Sequence, residues 1–161
     1  MIICDIDGCI FDNNHRTHLI PSDKSCVENW ARFNKACLSD KPIKSVIDFV
    51  KFLALQRTGE HHRAITFVTS RGLDAKDETR AQLTTRFFDF NISIKMRRMD
   101  DNRSTVDYKR DVFLRLSDKF VSDSVIIDDH AGVIKMVEQD FPMINRILVP
   151  SFDCTIVNEF E

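Results

Sequence analysis

The stretch that decides the fold is Met1-Ile2-Ile3-Cys4-Asp5-Ile6-Asp7-Gly8, an apolar run that ends in two carboxylates and a glycine. A short run rich in β-branched residues is typical of a buried strand. Because side chains alternate between the two faces of a strand, Asp5 and Asp7 can converge only where the strand has ended and the chain turns. Gly8 has the backbone freedom for such a turn. Open α/β sheets bind ligands at the carboxyl ends of their strands, so the run predicts either a polar site or a solvated Asp-Gly turn.

Strand and helix patterns alternate along the rest of the chain. We predict strands at residues 1–5, 64–69, 92–97, 124–128 and 145–149, and helices at 23–38, from 44 or 45 to Gly59, and at 74–88, 106–117 and 130–139. Strands separated by helix-length segments imply right-handed βαβ crossovers and parallel pairing. The predicted fold is therefore α/β, with a Rossmann-like, doubly wound, mainly parallel five-stranded sheet and helices on both faces. The thirteen phenylalanines are predicted to pack in its core.

Length and composition narrow the class of protein. A chain of 161 residues fits a single domain over 1–161, and the irregular stretch 12–44 is expected to form a small helical lid over the strand ends. A net charge of −2 gives no overall attraction to nucleic acid or to an anionic membrane. Five cysteines without a C-x-x-C pair argue against zinc and thioredoxin-type sites and favour a reducing compartment. With no signal-peptide pattern and no membrane-length apolar run, we expect a cytoplasmic protein of unknown oligomeric state.

Polar residues are found on three further predicted elements, at the same edge of the sheet. Thr69-Ser70-Arg71 ends the second strand, Lys109 lies near the start of a helix, and Asp128-Asp129 ends the fourth strand. Carboxylate oxygens are the ligands that Mg²⁺ prefers. Lysine and hydroxyl donors neutralise and hold phosphate oxygens. Together with Asp5 and Asp7, these residues predict a site for Mg²⁺ and a phosphoryl group.

This order of motifs resembles the haloacid dehalogenase-type (HAD) phosphohydrolases: a D-x-D-G, a strand-end Thr/Ser, a Lys and a D-D pair, spanning residues 5–129. Cys9 stands where that family usually has Thr or Val after the D-x-D-G. The resemblance implies that Asp5 is a nucleophile that becomes an aspartyl-phosphate, and that Asp7 is the general acid and base.

The same resemblance assigns the remaining groups of the site. Lys109 and Thr69 would bind the transferring phosphoryl oxygens. Mg²⁺ would lie between Asp5, the backbone carbonyl of Asp7 and the Asp128-Asp129 pair, with Asp128 as the first choice of ligand. One acid of that pair could instead cap the helix that begins near His130.

A narrower resemblance is to the phosphatase domain of bacteriophage polynucleotide kinase/3′-phosphatases. Arg16 follows Asp5 by eleven residues, Arg71 ends the second motif, and Lys109 precedes Asp128 by nineteen residues. The resemblance implies that Arg16, Ser70 and Arg71 contact the substrate, although Arg16 also fits a solvated loop charge.

Two departures from that family concern the substrate. The segment between the first two motifs is longer here, and Thr105 replaces the acid four residues before Lys109, with Asp107 nearby. The chain has no P-loop pattern, so we expect the kinase half to be absent. The cluster Arg97, Arg98 and Arg103 fits a solvated surface better than a polynucleotide groove.

The leading hypothesis is an Mg²⁺-dependent phosphomonoesterase that acts on a phosphorylated nucleotide or nucleic-acid end, with a 3′-phosphate first. One alternative is a phosphatase of small molecules or 5′-mononucleotides. Another is a phospho-accepting signalling domain of the response-regulator kind, although there the phosphorylated Asp ends the third strand.

Overall fold

The computed structural model describes residues 1–56 and 64–150. The strands are β1 (Ile2–Cys4), β2 (Phe11–Asp12), β3 (Lys41–Pro42), β4 (Ile65–Gly72), β5 (Ile92–Arg97), β6 (Val125–Asp128) and β7 (Asn145–Leu148). The α-helices are α1 (Ala31–Lys35), α2 (Lys44–Leu55), α3 (Lys76–Phe87), α4 (Thr105–Leu116) and α5 (Ala131–Asp140). Short 3₁₀ helices cover Asn14–Leu19, Val27–Trp30, Ala36–Ser39, Leu73–Ala75 and Ser117–Lys119.

A five-stranded sheet in the order β5-β4-β1-β6-β7 forms the centre of the molecule, and all of its pairings are parallel. β1 is the middle strand, with Ile3 opposite Thr66 on one side and Ile126 on the other. A strand with parallel neighbours on both sides is covered on both faces, which suits the continuous apolar run of β1. The predicted α/β, Rossmann-like fold is confirmed.

The two faces of the sheet carry separate apolar clusters. On one face Ile2 and Cys4 of β1 pack with Val50 of α2 and Leu83 of α3. On the opposite face the intervening Ile3 packs in a cluster with side chains of α4 and α5, among them Phe113 and Val133. Alternating side chains of one strand therefore anchor helices on both faces, as the doubly wound prediction requires.

The segment between β1 and α2 differs from the prediction. β2 and β3 form a small antiparallel pair, which the sequence patterns do not indicate. The continuous helix predicted over 23–38 is wrong, because the chain makes 3₁₀ turns on either side of the five-residue α1. Val27 and Trp30 lie in the first of these 3₁₀ turns, whereas Phe33 lies in α1.

The prediction that the phenylalanines pack in the core and between helices and sheet does not hold for all of them. Phe52 and Phe88 are 56% and 74% exposed. Phe52 lies on α2, whose inward residues are Ile47, Val50 and Ala54. Phe152, Phe160 and the predicted helix end at Gly59 lie outside the described residues. None of the helices described is long and apolar enough to cross a membrane.

Candidate active site

Asp5 directly follows β1, and the chain turns sharply after it. The Asp5 amide donates to the Ile127 carbonyl at 2.9 Å, which continues the pairing with β6. The Ile6 carbonyl then accepts from the amides of Ile10 and Phe11, which closes a tight loop. Gly8 has φ +72° in this loop, and a Cβ there would collide with the Asp129 carboxylate. Gly8 therefore permits both the turn and the close approach of Asp129.

Three carboxylates converge at this edge of the sheet. One oxygen each of Asp5, Asp128 and Asp129 lies within 4.8 Å of the other two. Lys109, on the first turns of α4, reaches into the cluster with its Nζ 2.9 Å from Asp5 Oδ1 and 2.7 Å from Asp128 Oδ2. The Asp128 Oδ1 atom accepts the His130 amide at 3.0 Å, but the N-cap of α5 is His130, whose Nδ1 accepts the Val133 amide at 3.3 Å, so the expectation of an acidic cap is wrong. Strand ends and one helix thus bring together the predicted cluster of acids and lysine.

Burial and charge shift the pKa values of Asp5, Asp129 and Lys109. Burial, reinforced by the charges of Asp128 and Asp129, raises the pKa of Asp5 well above its usual range despite the nearby Lys109. Burial and Asp128 also raise the pKa of Asp129. Burial lowers the pKa of Lys109, but Asp5 and Asp128 outweigh it and raise that pKa overall. Lys109 alone therefore does not neutralise the charge of the three carboxylates. Carboxylate oxygens are suitable ligands for a hard cation such as Mg²⁺.

Asp7 lies two residues further on and has different partners. Arg71 donates to Asp7 from Nε at 2.8 Å and from Nη2 at 2.7 Å, and Arg16 donates to it from Nη2. Burial raises the pKa of Asp7, but the guanidinium groups of Arg71 and Arg16 outweigh it and lower that pKa below its ordinary value. Asp5 and Asp7 are therefore neighbouring acids with opposite environments.

Arg16 is fully buried, so the alternative of a solvated loop charge is wrong. Its Nε and Nη2 donate to Asp40 at 2.7 and 2.8 Å, and its Nη1 donates to the Phe33 carbonyl at 2.8 Å. Arg71 is 1% exposed and also reaches Asp40, with its Nη2 at 3.2 Å. The two arginines thus hold Asp7 in position, and contact of either with a substrate stays a prediction.

Asp40 is the important residue that sequence reasoning missed. It lies just before β3, and the pairing of β3 with β2 brings it beside Arg16. Gln82 Nε2 also donates to Asp40, at 3.4 Å. No motif marks Asp40, and the only available signal is its position next to a short strand that the sequence patterns do not indicate.

Thr69 and Ser70 lie at an irregularity in β4. The register with β5 shifts between Thr69 and Gly72, which is a bulge. The Thr69 hydroxyl accepts the Arg71 amide at 3.2 Å across this bulge. Bulges redirect side chains, and here the irregular stretch includes Arg71, the partner of Asp7. Thr69 thus shapes the bulge, and its contact with a phosphoryl group stays a prediction.

Ser70 and Thr105 meet on the other side of the bulge. The Ser70 hydroxyl donates to Thr105 Oγ1 at 3.2 Å. Asp107 instead accepts from the Ser104 hydroxyl at 2.6 Å and from Arg110 at 2.8 Å, so it belongs to the exposed cap of α4. Asp107 therefore does not replace the acid that is absent at Thr105.

The arginines at the end of β5 and in the loop after it are not a solvated group as a whole. Arg97 is only 6% exposed, with its guanidinium 4.8 Å from the centre of the Tyr108 ring and Nη2 3.3 Å from the Ser70 hydroxyl. The prediction of a solvated surface is wrong for Arg97, because the end of β5 packs against α4. Arg98 is exposed and paired with Asp100, as expected.

Comparisons with known proteins agree with the fold. No protein-family model and no curated protein matches the sequence. A solved structure of a Pnkp1/Rnl/Hen1 complex contains a chain similar to this one, with a TM-score of 0.70 and 18% identity over 92% of this chain. A structure of the Pnkp1/Rnl/Hen1 RNA repair complex gives a TM-score of 0.71 and 20% identity over 94% of this chain. The matches cover 45% and 42% of those chains, so this chain spans less than half their length.

Proposed function

We propose that this chain is an Mg²⁺-dependent phosphomonoesterase of the HAD type that acts on phosphorylated nucleic-acid or nucleotide ends. Its preferred substrate is a 3′-phosphate. The observation that carries this proposal is the pair Asp5 and Asp7. Lys109 and two further acids surround Asp5, whereas two arginines surround Asp7. Paired acids in opposite environments are typical of sites in which one acid bonds to the substrate and the other moves protons.

In the first step a carboxylate oxygen of Asp5 forms a bond to phosphorus, and the bond from phosphorus to the alcohol oxygen breaks. Lys109, 2.9 Å from Asp5 Oδ1, is close enough to neutralise charge on the incoming phosphoryl oxygens. Mg²⁺, held by Asp5, Asp128 and Asp129, would screen the repulsion between the carboxylate and the phosphate. The product of this step is an aspartyl-phosphate on Asp5.

Asp7 serves both steps as a proton carrier. The leaving alkoxide needs a proton, and the negative charge of an arriving phosphate raises the pKa of Asp7 so that it can carry one. In the second step Asp7, again ionised beside Arg71, removes a proton from the water that hydrolyses the aspartyl-phosphate. A phospho-accepting signalling domain keeps its aspartyl-phosphate, so a general base beside that group would act against its function.

The substrate class rests on two observations. A structurally similar chain occurs in a complex described as an RNA repair complex. A cavity of about 540 Å³ opens directly beside Asp7 and Arg71, which leaves room for a group larger than phosphate. These observations favour a nucleotide end over a small metabolite.

The test is phosphate release, with and without Mg²⁺, from a matched panel. The panel holds 3′- and 5′-phosphorylated oligonucleotides, the corresponding mononucleotides and p-nitrophenyl phosphate. We expect Mg²⁺-dependent release that is fastest from the 3′-phosphorylated oligonucleotide. Preference for 5′-mononucleotides would indicate a small-molecule substrate instead of a nucleic-acid end. Absence of release from the whole panel would contradict phosphatase activity.

A further inference from the structure

We propose that the cavity beside Asp7 binds the terminal nucleobase of the substrate as an unpaired base, so that the enzyme selects single-stranded ends. This inference rests on the proposed function and adds to it a site for the base and a preference for strandedness. The binding group is an aromatic ring, Trp30, at the end of the 3₁₀ helix Val27–Trp30.

The cavity has the position and size that a nucleoside requires. Asp7 and Arg71 form part of its wall, so a group bound in it lies next to the predicted reaction centre. Its volume of about 540 Å³ falls within the roughly 300–1,000 Å³ that is usual for small-ligand sites. Trp30, Phe33 and Asn34 form the wall on the side of α1.

Trp30 presents a half-buried indole to this cavity. Its ring stands edge-on to Phe33, with the centroids 5.6 Å apart and the planes at 84°. Phe33 is in turn fixed by Arg16, whose guanidinium lies 4.0 Å from the centre of the Phe33 ring. A base stacked on Trp30 is therefore connected through Phe33 and Arg16 to the carboxylate of Asp7.

Asn34 gives the cavity wall a polar group whose hydrogen-bond donor is unused among the described residues. Asn34 is 4% exposed, and its buried Nδ2 has no hydrogen-bond partner among the described residues. An amide can offer both a donor and an acceptor to a base edge. Lys24 and Arg103 also line the cavity, and Arg103 is paired there with Asp101, with its Nε 2.8 Å from Asp101 Oδ1.

The cavity is built from distant parts of the chain that are tied together. The Asn102 side chain accepts the Val27 amide at 2.9 Å and so joins the loop after β5 to the segment that carries Trp30. We expect a base bound between these segments to turn its pairing edge toward the protein, so that it does not remain paired in a duplex. Binding at a duplex end would first require the terminal pair to open, so a blunt duplex end should react more slowly than a single-stranded end.

Trp30 is the only tryptophan of the chain, so its emission reports the proposed contact directly. The titration uses the Asp5→Asn protein with a 3′-phosphorylated single-stranded dinucleotide, and with the same molecule whose 3′ sugar lacks its base. We expect quenching by the first and a much smaller change with the abasic one. Equal changes with both, or none with either, would overturn the proposal.

Kinetics give a second, independent test. With the unmodified protein we expect kcat/KM to fall roughly 5- to 150-fold when the terminal base is removed, the effect of losing one base–aromatic stack. In Trp30→Leu the ratio of kcat/KM for the normal substrate to kcat/KM for the abasic substrate should be close to one. Trp30→Phe should restore part of this ratio. The exposed Phe88→Leu should leave the ratio unchanged. The unmodified protein should also favour a single-stranded end over the same end in a blunt duplex.

The outcomes separate the two proposals. Phosphate release at equal rates from normal and abasic ends would overturn the base site and leave the phosphatase standing. Absence of release even from p-nitrophenyl phosphate would overturn the phosphatase, and base-dependent quenching of Trp30 would then still support the base site.

Discussion

The Arg71 guanidinium binds both carboxylate oxygens of Asp7, with Nε 2.8 Å from Oδ2 and Nη2 2.7 Å from Oδ1. Two parallel hydrogen bonds of this kind fix the plane of a carboxylate as well as its charge. Arg71 reaches this position from the bulge of β4, while Asp7 comes from the loop after β1. The relationship thus joins two neighbouring strand ends and makes Arg71 a positioning residue for Asp7.

Arg71→Lys tests this positioning role. Lysine keeps the charge but cannot bind Asp7 through two hydrogen bonds, so we expect kcat to fall about 10- to 100-fold. Because weaker pairing lets the pKa of Asp7 rise, hydrolysis of the aspartyl-phosphate, in which Asp5 no longer titrates, should slow on acidification from a higher pH than in the unmodified protein. The measurement is kcat and KM against pH, with the exposed Arg98→Lys as control. An unchanged pH profile would contradict the positioning role.

Asp40→Asn tests the buried carboxylate behind the arginines. The substitution removes the charge that balances Arg16 and Arg71, and we expect it to destabilise the fold by about 3–5 kcal/mol. Urea denaturation measures this loss. The control is Asp48→Asn, since Asp48 is exposed and pairs with Lys44 on the surface of α2. Equal stability of the two variants would show that Asp40 is not needed to hold the arginines.

Lys109→Met tests the lysine of the carboxylate cluster. Without its ammonium group, Asp5 and Asp128 are buried without a cation, so we expect a loss of about 3–5 kcal/mol in metal-free buffer. Mg²⁺ should restore part of the stability but not the activity, because the phosphoryl oxygens still lack their lysine. Thermal denaturation and phosphate release measure the two effects, with the exposed Lys44→Met as control. Retained activity would exclude Lys109 from the reaction.

Mg²⁺ itself should stabilise the protein. At a hundredfold excess over its dissociation constant, an ion that binds only the folded state contributes about 2.7 kcal/mol, or roughly 5–10 °C in Tm for a chain of this size. Differential scanning fluorimetry measures the shift, and Asp128→Asn should abolish it. A Tm that does not respond to Mg²⁺ would contradict a metal site at this cluster.

The same shift should depend on pH with a definite sign. The pKa values of Asp5 and Asp129 are raised in the metal-free fold. Between the ordinary aspartate pKa and these raised values, the folded state binds more protons than the unfolded state, so metal-free stability falls as pH rises. Mg²⁺ binds the ionised carboxylates, and its stabilising effect should therefore grow as pH rises through this range.

Features that depend on the local sequence pattern could be predicted from the sequence, whereas features that depend on contacts between distant residues could not. The apolar runs that end at Cys4 and Asp128 are local patterns, so the strands and the convergence of their acids were predictable. The pairing of Arg16 with Asp40 depends on β2 meeting β3 across a loop, and no local pattern records it. The exposure of Phe52 and Phe88 likewise depends on which helix faces meet the sheet.

The central claim is that Asp5 accepts the phosphoryl group, and the most direct test is to trap it there. In Asp7→Asn the base for the second step is gone, while p-nitrophenyl phosphate has a leaving group that needs no proton. Acid quenching and peptide mass spectrometry of this variant should therefore show a phosphoryl group on Asp5 that depends on Mg²⁺. A protein that releases nitrophenol without any phosphate on Asp5 would contradict the account.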